Sequence, residues 1–445
     1  MRSEFERLFH VALDAARAHG VHDLEVIFTG EDASLTRFAN NAISQNVAEK
    51  NGHISVRPVI DGRTARASTN RRDDASIRAV VEEAIAITRL TEADPELLPL
   101  VGAAPIDPVD RHFQRTAEAT PDERAAAVAQ AIGEVKVFGQ TAAGIYSTGE
   151  NSFGIMNSRG VSAWYSETMA RFSITAMATD SSGWAKASAC DHRALDPAGL
   201  ARSAARKSVH SRDPRELPPG RYTVVLEPAA VLDLAGQMFG DFSATAVRDG
   251  RSFLNDRIGK KIFGDNLTIY DDARHPLQSG APFDGEGVPR RHLTLVENGV
   301  VRDIAYSRQA AALGGGEPTG HGFPMPNEVG EFPVNIVIAG GNIPVEQMIA
   351  STERGILVTR FWYIREVDPY EKIFTGMTRD GTFLIENGQI AGGIRNFRFN
   401  QSLIEMLSNI EALSPAVRAT GEEASDMVVP AMKVVDFNFT EVTRF

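Results

Sequence analysis

The sequence predicts an α+β protein of two domains. The first is a mixed or antiparallel sheet with helices on one face, and the second is mostly β with few helices. Three observations carry this reading. Segments with a helical period are followed by an antiparallel meander, so the repeating βαβ pattern of a parallel sheet is absent. The 445 residues exceed what one ordinary core organises, and 43% of them are hydrophobic, enough for two. The polar segment Ser211–Gly220, SRDPRELPPG, carries three prolines and divides residues 1–212 from 213–445.

Taken in order, Phe5–His19 places Phe5, Leu8, Phe9, Ala12, Leu13 and Ala16 at a helical period, and Gly20 ends it. Leu24–Phe28 reads as a short buried strand and Ser34–Ala39 as another. Ile54–Ile60 and Thr64–Ser68 flank Asp61-Gly62 as a hairpin, with Pro58 marking an edge or a bulge. Asp73 or Asp74 caps a helix to Leu90 whose apolar stripe is Ile77, Val80, Val81, Ala84, Ile85 and Thr88. Thr120-Pro121-Asp122-Glu123 is a capping box with proline at the first helical position, opening a helix to Val137. From Ala143 to Ala189 strands are separated by turns at Thr148-Gly149, Ser158-Arg159-Gly160 and Ser181-Ser182-Gly183. Asp196-Pro197 then opens the helix Ala198–Val209.

The second half starts with strand Tyr222–Leu226, helix Ala229–Phe239 and strand Leu267–Tyr270. The glycine-punctuated acidic turn Asp284-Gly285-Glu286-Gly287, closed by Pro289, leads into strands His292–Val296 and Val300–Tyr306. Asn298-Gly299 between them is a strong hairpin signal, because a primed turn needs φ > 0 at both central residues. Val334–Ala339, Gly355–Trp362, Thr382–Ile385 and Gln389–Ile394 supply further strands, the last two joined by Glu386-Asn387-Gly388. Ser402–Ile410 reads as a short helix and Met427–Asn438 as a terminal strand that closes the sheet.

A net charge of −12 disfavours nucleic acid as a partner, since phosphate binding wants a basic face, and Arg71-Arg72 and Arg290-Arg291 are too short to reverse that. The single cysteine, Cys190, suits a reducing compartment. The first twenty residues lack a signal peptide's apolar core, and no apolar run has the length of a membrane span. The expectation is a soluble cytoplasmic protein with no membrane contact.

The strong catalytic signatures are absent: no HExxH, HExxxH, CxxC, GxSxG, phosphate loop or dinucleotide fingerprint. Cys190 and His192 share one face of an extended segment, which reads as a half-buried strand end. His19 and His22 flank a helix terminus, where the dipole accounts for them. Gly314-Gly315-Gly316 lacks the helix start and lysine of a phosphate site and reads as a loop. Two constellations remain. Asp284, Gly285, Glu286 and Gly287, with Arg290 and Arg291, would line a cleft that recognises a peptide backbone or its termini; the plainer alternative is a turn held by local aspartate hydrogen bonds. Thr319-Gly320-His321-Gly322 puts His321 on an exposed loop with no nucleophile beside it, a solvated histidine more than a catalytic base.

The runs GRSFLNDRIGKKIFGDNLTIYDD, FDGEGVPRRHLTLVENGVV and EPTGHG resemble the C-terminal domain of the TldD/PmbA family, whose PmbA members are also called TldE. LTRFANNAISQN and ARASTNRRDDASIRAVVEEAI resemble its first domain, and GTFLIENGQIAGGIRNFRFNQSLIEML fits its late part, so the likeness spans nearly the whole chain. It implies a two-subunit protease. TldD-type chains carry HExxxH on the helix after the first strand of this domain, with a late cysteine completing a zinc site. Laid on TVVLEPAAVLDLAGQMFG, that motif puts Asp233 and Met238 at the histidines and Leu234 at the glutamate, and SDMVVPAMKVVDFNF has no cysteine. The resemblance therefore implies a TldE-type chain with no cofactor of its own, whose zinc-bearing partner is a TldD-type metallopeptidase subunit and whose substrate is an unfolded or leader peptide. Two alternatives stand beside it. One is a homodimeric peptide-binding scaffold without protease activity, diverted to natural-product biosynthesis. The other is a divergent enzyme using Asp233 or Glu286. The family's older label, modulator of DNA gyrase, implies DNA contact that the acidic balance does not favour.

Overall fold

The computed structural model describes residues 1–443. In chain order the first part holds helix α1 (Arg2–Ala18), strands β1 (Asp23–Ala39), β2 (Ala42–Ile60), β3 (Arg63–Thr64) and β4 (Ala67–Thr69), helices α2 (Asp74–Leu90), α3 (Gln114–Ala117) and α4 (Pro121–Val137), strands β5 (Thr141–Asn157), β6 (Ser162–Met177) and β7 (Ser182–Ala189), and helix α5 (Pro197–His210). The rest holds β8 (Gly220–Leu226), α6 (Pro228–Ala235), α7 (Ala244–Arg248), β9 (Ile269–Asp271), β10 (Leu293–Glu297), β11 (Val300–Val301), α8 (Arg308–Gly314), β12 (Ile336–Ile338), α9 (Val345–Ala350), β13 (Arg354–Asp368), β14 (Ile373–Glu386), β15 (Gln389–Gly393), β16 (Phe397–Ser402), α10 (Leu403–Ser408), β17 (Ile410–Leu413), β18 (Val417–Ala419), β19 (Met427–Val429) and β20 (Met432–Val442).

The first sheet is antiparallel, in the order β3-β2-β1-β5-β6-β7, with β4 on β2. Side chains alternate across a strand, and one face of it is covered by helices. Val26 and Phe28 meet α1 and α2 near one end, and Phe38, Phe172 and Ile174 meet α4 and α5 near the other. Asp73 caps α2 through Ser76 N, and the capping box at Thr120 and Glu123 is formed as its sequence predicts.

The strand count differs from expectation in this sheet. Residues 23–39 make one strand, not two, because β1 is paired on both sides along most of its length and turns only at Asn40-Asn41, where φ is 51° and 61°. Thr148-Gly149 is no turn either: it lies inside β5, opposite Ala170 and Met169.

Two further sheets are built from residues after 219. One runs β11-β10-β9-β12-β19-β18. The other runs β13-β8-β20-β16-β14-β15, and a β13–β14 pairing closes it on itself. Phe361, Phe399, Phe437 and Phe439 fill that closed sheet, with neighbouring ring centroids 4.9–5.8 Å apart. The expected terminal strand splits at Pro430: β19 belongs to one sheet and β20 to the other, since proline cannot donate to a ladder. Likewise β11 ends after two residues, and Gly314–Gly316 closes the short helix α8, with Gly315 left-handed at φ 72°. No helix among the described residues is long and apolar enough to cross a membrane.

Candidate functional site

The loop before β10 is built by one aspartate. Asp284 Oδ1 accepts from Glu286 N (2.9 Å) and Val288 N (2.8 Å), and Oδ2 from Gly322 N (2.8 Å). Gly285 is forced by space, because a Cβ there would lie 2.4 Å from Pro324 Cδ. Gly287 takes φ 84° and faces Val161 and Ile155 of the first sheet. Phe283 stacks on Phe153 with centroids 5.4 Å apart, so the loop is pressed onto the face of the first sheet that the helices leave bare. Burial of such a ring contributes roughly 2–3 kcal/mol.

Asp284 and Glu286 are therefore buried. The turn held by local aspartate hydrogen bonds is the geometry found. Glu286 Oε2 accepts from Arg308 N (2.9 Å). Burial, and then the neighbouring Asp284, push its carboxyl up to about 7. Asp284 is raised too, by burial, against Arg290. Arg290 sits behind the pair with Nε and Nη1 buried and without a hydrogen-bond partner. Arg291 points away to Glu317 at 2.8 Å.

His321 is 1% exposed, not solvated as its glycine-flanked loop suggested. Its Nδ1 lies 2.9 Å from Thr319 Oγ1, and its Nε2 lies 3.1 Å from Asp271 Oδ1, off line for a hydrogen bond. Asp271 Oδ2 accepts from Val334 N and Asn335 N. Burial alone would raise Asp271, but His321 and Arg290 outweigh it and hold the carboxyl below its ordinary range. Asp271 and Glu331 were not singled out from sequence. Glu331 is buried and accepts from Ser243 Oγ, Thr245 N and Ser307 N, tying the starts of α7 and α8 together. A lone acid inside an apolar or polar run gives no sign of such long-range partners. All of these side chains are buried, and what they contact is the protein's own backbone and side chains.

A cleft of about 750 Å³ lies elsewhere, between the first sheet and the loop 418–426. Glu31, Asp32, Arg171 and Lys186 line it from the sheet, and Glu422, Glu423 and Asp426 from the loop. Asp426 accepts from Ser188 Oγ (2.7 Å), Arg418 Nη2 (3.0 Å) and Arg171 Nη2 (3.1 Å), and these partners hold it below the usual carboxylate range although burial opposes them. Lys186 pairs with Glu422 at 3.1 Å.

This loop rests on α6. Asp233 Oδ1 accepts from Glu422 N (3.0 Å) and Glu423 N (3.1 Å), while Oδ2 is buried and unpartnered. Burial pushes Asp233 up to about 6 against those amides and Arg360. Leu234 and Met238 are 0% exposed and belong to the hydrophobic core. A zinc ion needs three or four converging nitrogen, sulfur or oxygen donors. Here one carboxylate oxygen is occupied by amides, and the other two positions are hydrocarbon and thioether facing the core, so the residues do not fit the metal. Among the described residues no three His, Cys, Asp or Glu side chains are grouped to hold one. Cys190 is partly buried, its thiol pushed up by burial, and His192 Nδ1 lies 3.2 Å from Thr116 Oγ1.

Three family models match the chain: the PmbA/TldA metallopeptidase domain 1 over residues 24–88, its central domain over 113–212 and its C-terminal domain over 219–441. The metalloprotease PmbA of Escherichia coli O157:H7 is 25% identical over 435 residues, 91% of this chain and 92% of its own. A metalloprotease of Methanothermobacter thermautotrophicus is 25% identical over 291 residues, 60% of this chain and 61% of its own length. Among solved structures, TldE from Thermococcus kodakarensis superposes with a TM-score of 0.87 at 20% identity, covering 98% of this chain and 100% of that one. A protein of Thermotoga maritima described as a modulator of a DNA gyrase gives 0.86 at 20% identity, with the same coverage. At that identity the likeness carries the fold.

Proposed function

The chain belongs to the PmbA/TldD metallopeptidase family, and from this premise we propose that it is a TldE-type subunit, without metal of its own, that pairs with a TldD-type metallopeptidase chain to process unfolded or leader peptides. The observation that carries the reading is the state of α6 and of the 3-10 turn, Gly236–Asp241, that follows it. The positions where the resemblance lays the zinc motif hold Asp233, bonded to backbone amides, and the core residues Leu234 and Met238. A chain built this way contributes walls, not a reacting centre.

The cleft of about 750 Å³ is within the range of ligand sites, and both of its sides carry charged groups suited to the polar backbone of an extended peptide. In this reading Lys186, Arg171 and the loop 420–426 enclose the peptide, and hydrolysis belongs to the partner.

The test starts with metal content of the purified chain by elemental mass spectrometry and peptidase assays on the same sample. Expected are no stoichiometric metal and no cleavage, with cleavage of an unfolded peptide appearing when a family chain bearing HExxxH from the same genome is added. One zinc per chain, or full activity of the partner alone, would overturn the proposal. A homodimer that refuses to exchange with the partner would favour the scaffold alternative.

A further inference from the structure

The face of the first sheet that forms one wall of the cleft carries a row of polar side chains that the chain itself does not use. β1 runs between β2 and β5, and their register sets Glu31 opposite Asn51 on one side and opposite Asn151 on the other. Residues paired in this way share a face, with neighbouring Cβ atoms about 4.5–5.5 Å apart. Alternation along β1 puts Glu31 on the side of Ile27, which packs with Phe283, so the row lies opposite the helices. All three side chains are exposed, and Glu31 and Asn151 line the cleft. None of the three has a hydrogen-bond or ion-pair partner among the described residues.

The other charged groups that line the cleft are engaged. Arg171 and Arg418 donate to Asp426 at 3.1 and 3.0 Å, and Lys186 pairs with Glu422 at 3.1 Å. Glu423 accepts from Tyr363 N at 2.8 Å. The Asp32 side chain points to the opposite face of the sheet, where Lys50 donates to it at 2.9 Å. On the face of Glu31, the register places His53 diagonally on one side, opposite Thr29, and Glu49 on the other, opposite Ala33. Beyond Asn151 the row continues to Glu167, which is buried and accepts from Gly280 N at 2.8 Å. Arg171 stands two rows along and Arg37 three, each row being about 7 Å of strand. Glu31 is thus a carboxylate without an ion-pair partner, flanked by two amides.

A carboxylate between two amide carbonyls offers several acceptors to one cationic donor. The matching group is a primary ammonium, a compact charge with three donors and no acceptor. We propose that the row Asn51-Glu31-Asn151 binds the primary ammonium of the peptide that occupies the cleft, carried by a lysine side chain or by the free amino terminus. The inference rests on the reading of the cleft as a peptide site and names the group that such a site selects. The chain's net charge of −12 draws cations toward it over a longer range, and salt screens that attraction. An acidic segment would meet Glu31 as a like charge.

The test measures binding to the full-length chain by fluorescence anisotropy, with the peptide Ala-Ser-Ala-Lys-Ala-Ser-Ala and its glutamine counterpart, both carrying fluorescein at the carboxyl terminus. Each is used with a free and with an acetylated amino terminus. Expected is a preference for an ammonium-bearing peptide of about three- to fivefold, the scale of one solvent-accessible ion pair, that falls to near unity in Glu31→Gln. A lysine preference that persists in the acetylated peptides assigns the bound group to the side chain. A loss of affinity on acetylating the glutamine peptide assigns it to the amino terminus. Glu31 is exposed, and circular dichroism establishes that the variant is folded. Saturable binding with no such preference, or a preference unchanged in the folded variant, would overturn this assignment and leave the peptide reading of the cleft standing. No saturable binding of any of the peptides would overturn both.

Discussion

At the scale of single residues, the chemistry of this chain lies in buried acids. Glu25 is the plainest case: burial would raise it, but Arg57 and Arg66 bind both its oxygens and hold it below the ordinary glutamate range. Glu286 is the opposite case. It has one backbone amide as donor and Asp284 as an unfavourable neighbour, and its carboxyl rises from 4.5 to about 7. Its folded state therefore holds a proton that the unfolded chain has released. The stability linked to that proton is complete below about pH 4.5 and is lost as pH rises through about 7. Replacing Glu286 by Gln keeps an acceptor for Arg308 N and removes the titration. The unfolding free energy from denaturant titration should then fall less between pH 5 and pH 8 in the variant than in the parent, by on the order of 2 kcal/mol. An identical pH dependence in the two proteins would remove Glu286 from this role. Asp284 and Glu286 stand out in the sequence because glycines punctuate them, and the local pattern is compatible with a cleft and with a closed loop alike. The deciding facts were Phe283 on Phe153 and Gly322 N on Asp284, contacts that no local pattern announces.

At the scale of elements, local signals were legible wherever a short-range rule acts. The caps at Asp73 and Thr120 and the turns at Asp61-Gly62, Asn298-Gly299 and Asn387-Gly388 lie where the residue types require, with positive φ in each turn. What failed was strand length, as in β1 and β5, where polar stretches are held by pairing on both sides rather than by an apolar alternation. Helix α6 shows the same division. Its apolar face was readable, but the partner of its acid was not. Asp233 receives the amides of loop 420–426, and Gly421 permits the approach: a Cβ there would lie 2.2 Å from Asp233 Oδ1 and 2.5 Å from Leu232 Cδ2. Gly421→Ala should destabilise the chain by about 1–3 kcal/mol through overpacking and loosen the cleft wall. Both effects are measurable as a lowered melting temperature and faster proteolysis within residues 418–426. A variant as stable and as protected as the parent would mean that the loop is anchored elsewhere, through Gln237, which donates to Glu423 O, or Lys186, which donates to Gly421 O.

At the scale of the whole molecule, the question is what makes the first sheet and the two later sheets one body. Part of the answer is the apolar contact at Phe283, and part is a set of buried cations reaching across. Arg111 lies just before α3 and is 5% exposed, and its Nη2 donates to Ala273 O (2.6 Å) and His275 O (3.0 Å), while Nη1 donates to Gly280 O (3.2 Å). Glu167 of β6 accepts from Gly280 N on the same turn (2.8 Å). Arg418 makes the reciprocal connection from β18 to Ser188 of β7 and to Leu277 O. These partners are more than a hundred residues apart in the chain, and Arg111 stands in a stretch with neither a helical nor a strand period, so its importance has no sequence signature. Arg111→Met would preserve much of the stem's packing while leaving three carbonyls without their donor. A penalty on the order of 3 kcal/mol is expected from lost charge-assisted bonds and unsatisfied acceptors. Because that loss falls on the contact between the sheets and not within a core, scanning calorimetry should resolve two transitions in the variant where the parent gives one. A single transition at the parent temperature would mean that the Phe283 contact and the Arg418 connections couple the sheets without Arg111.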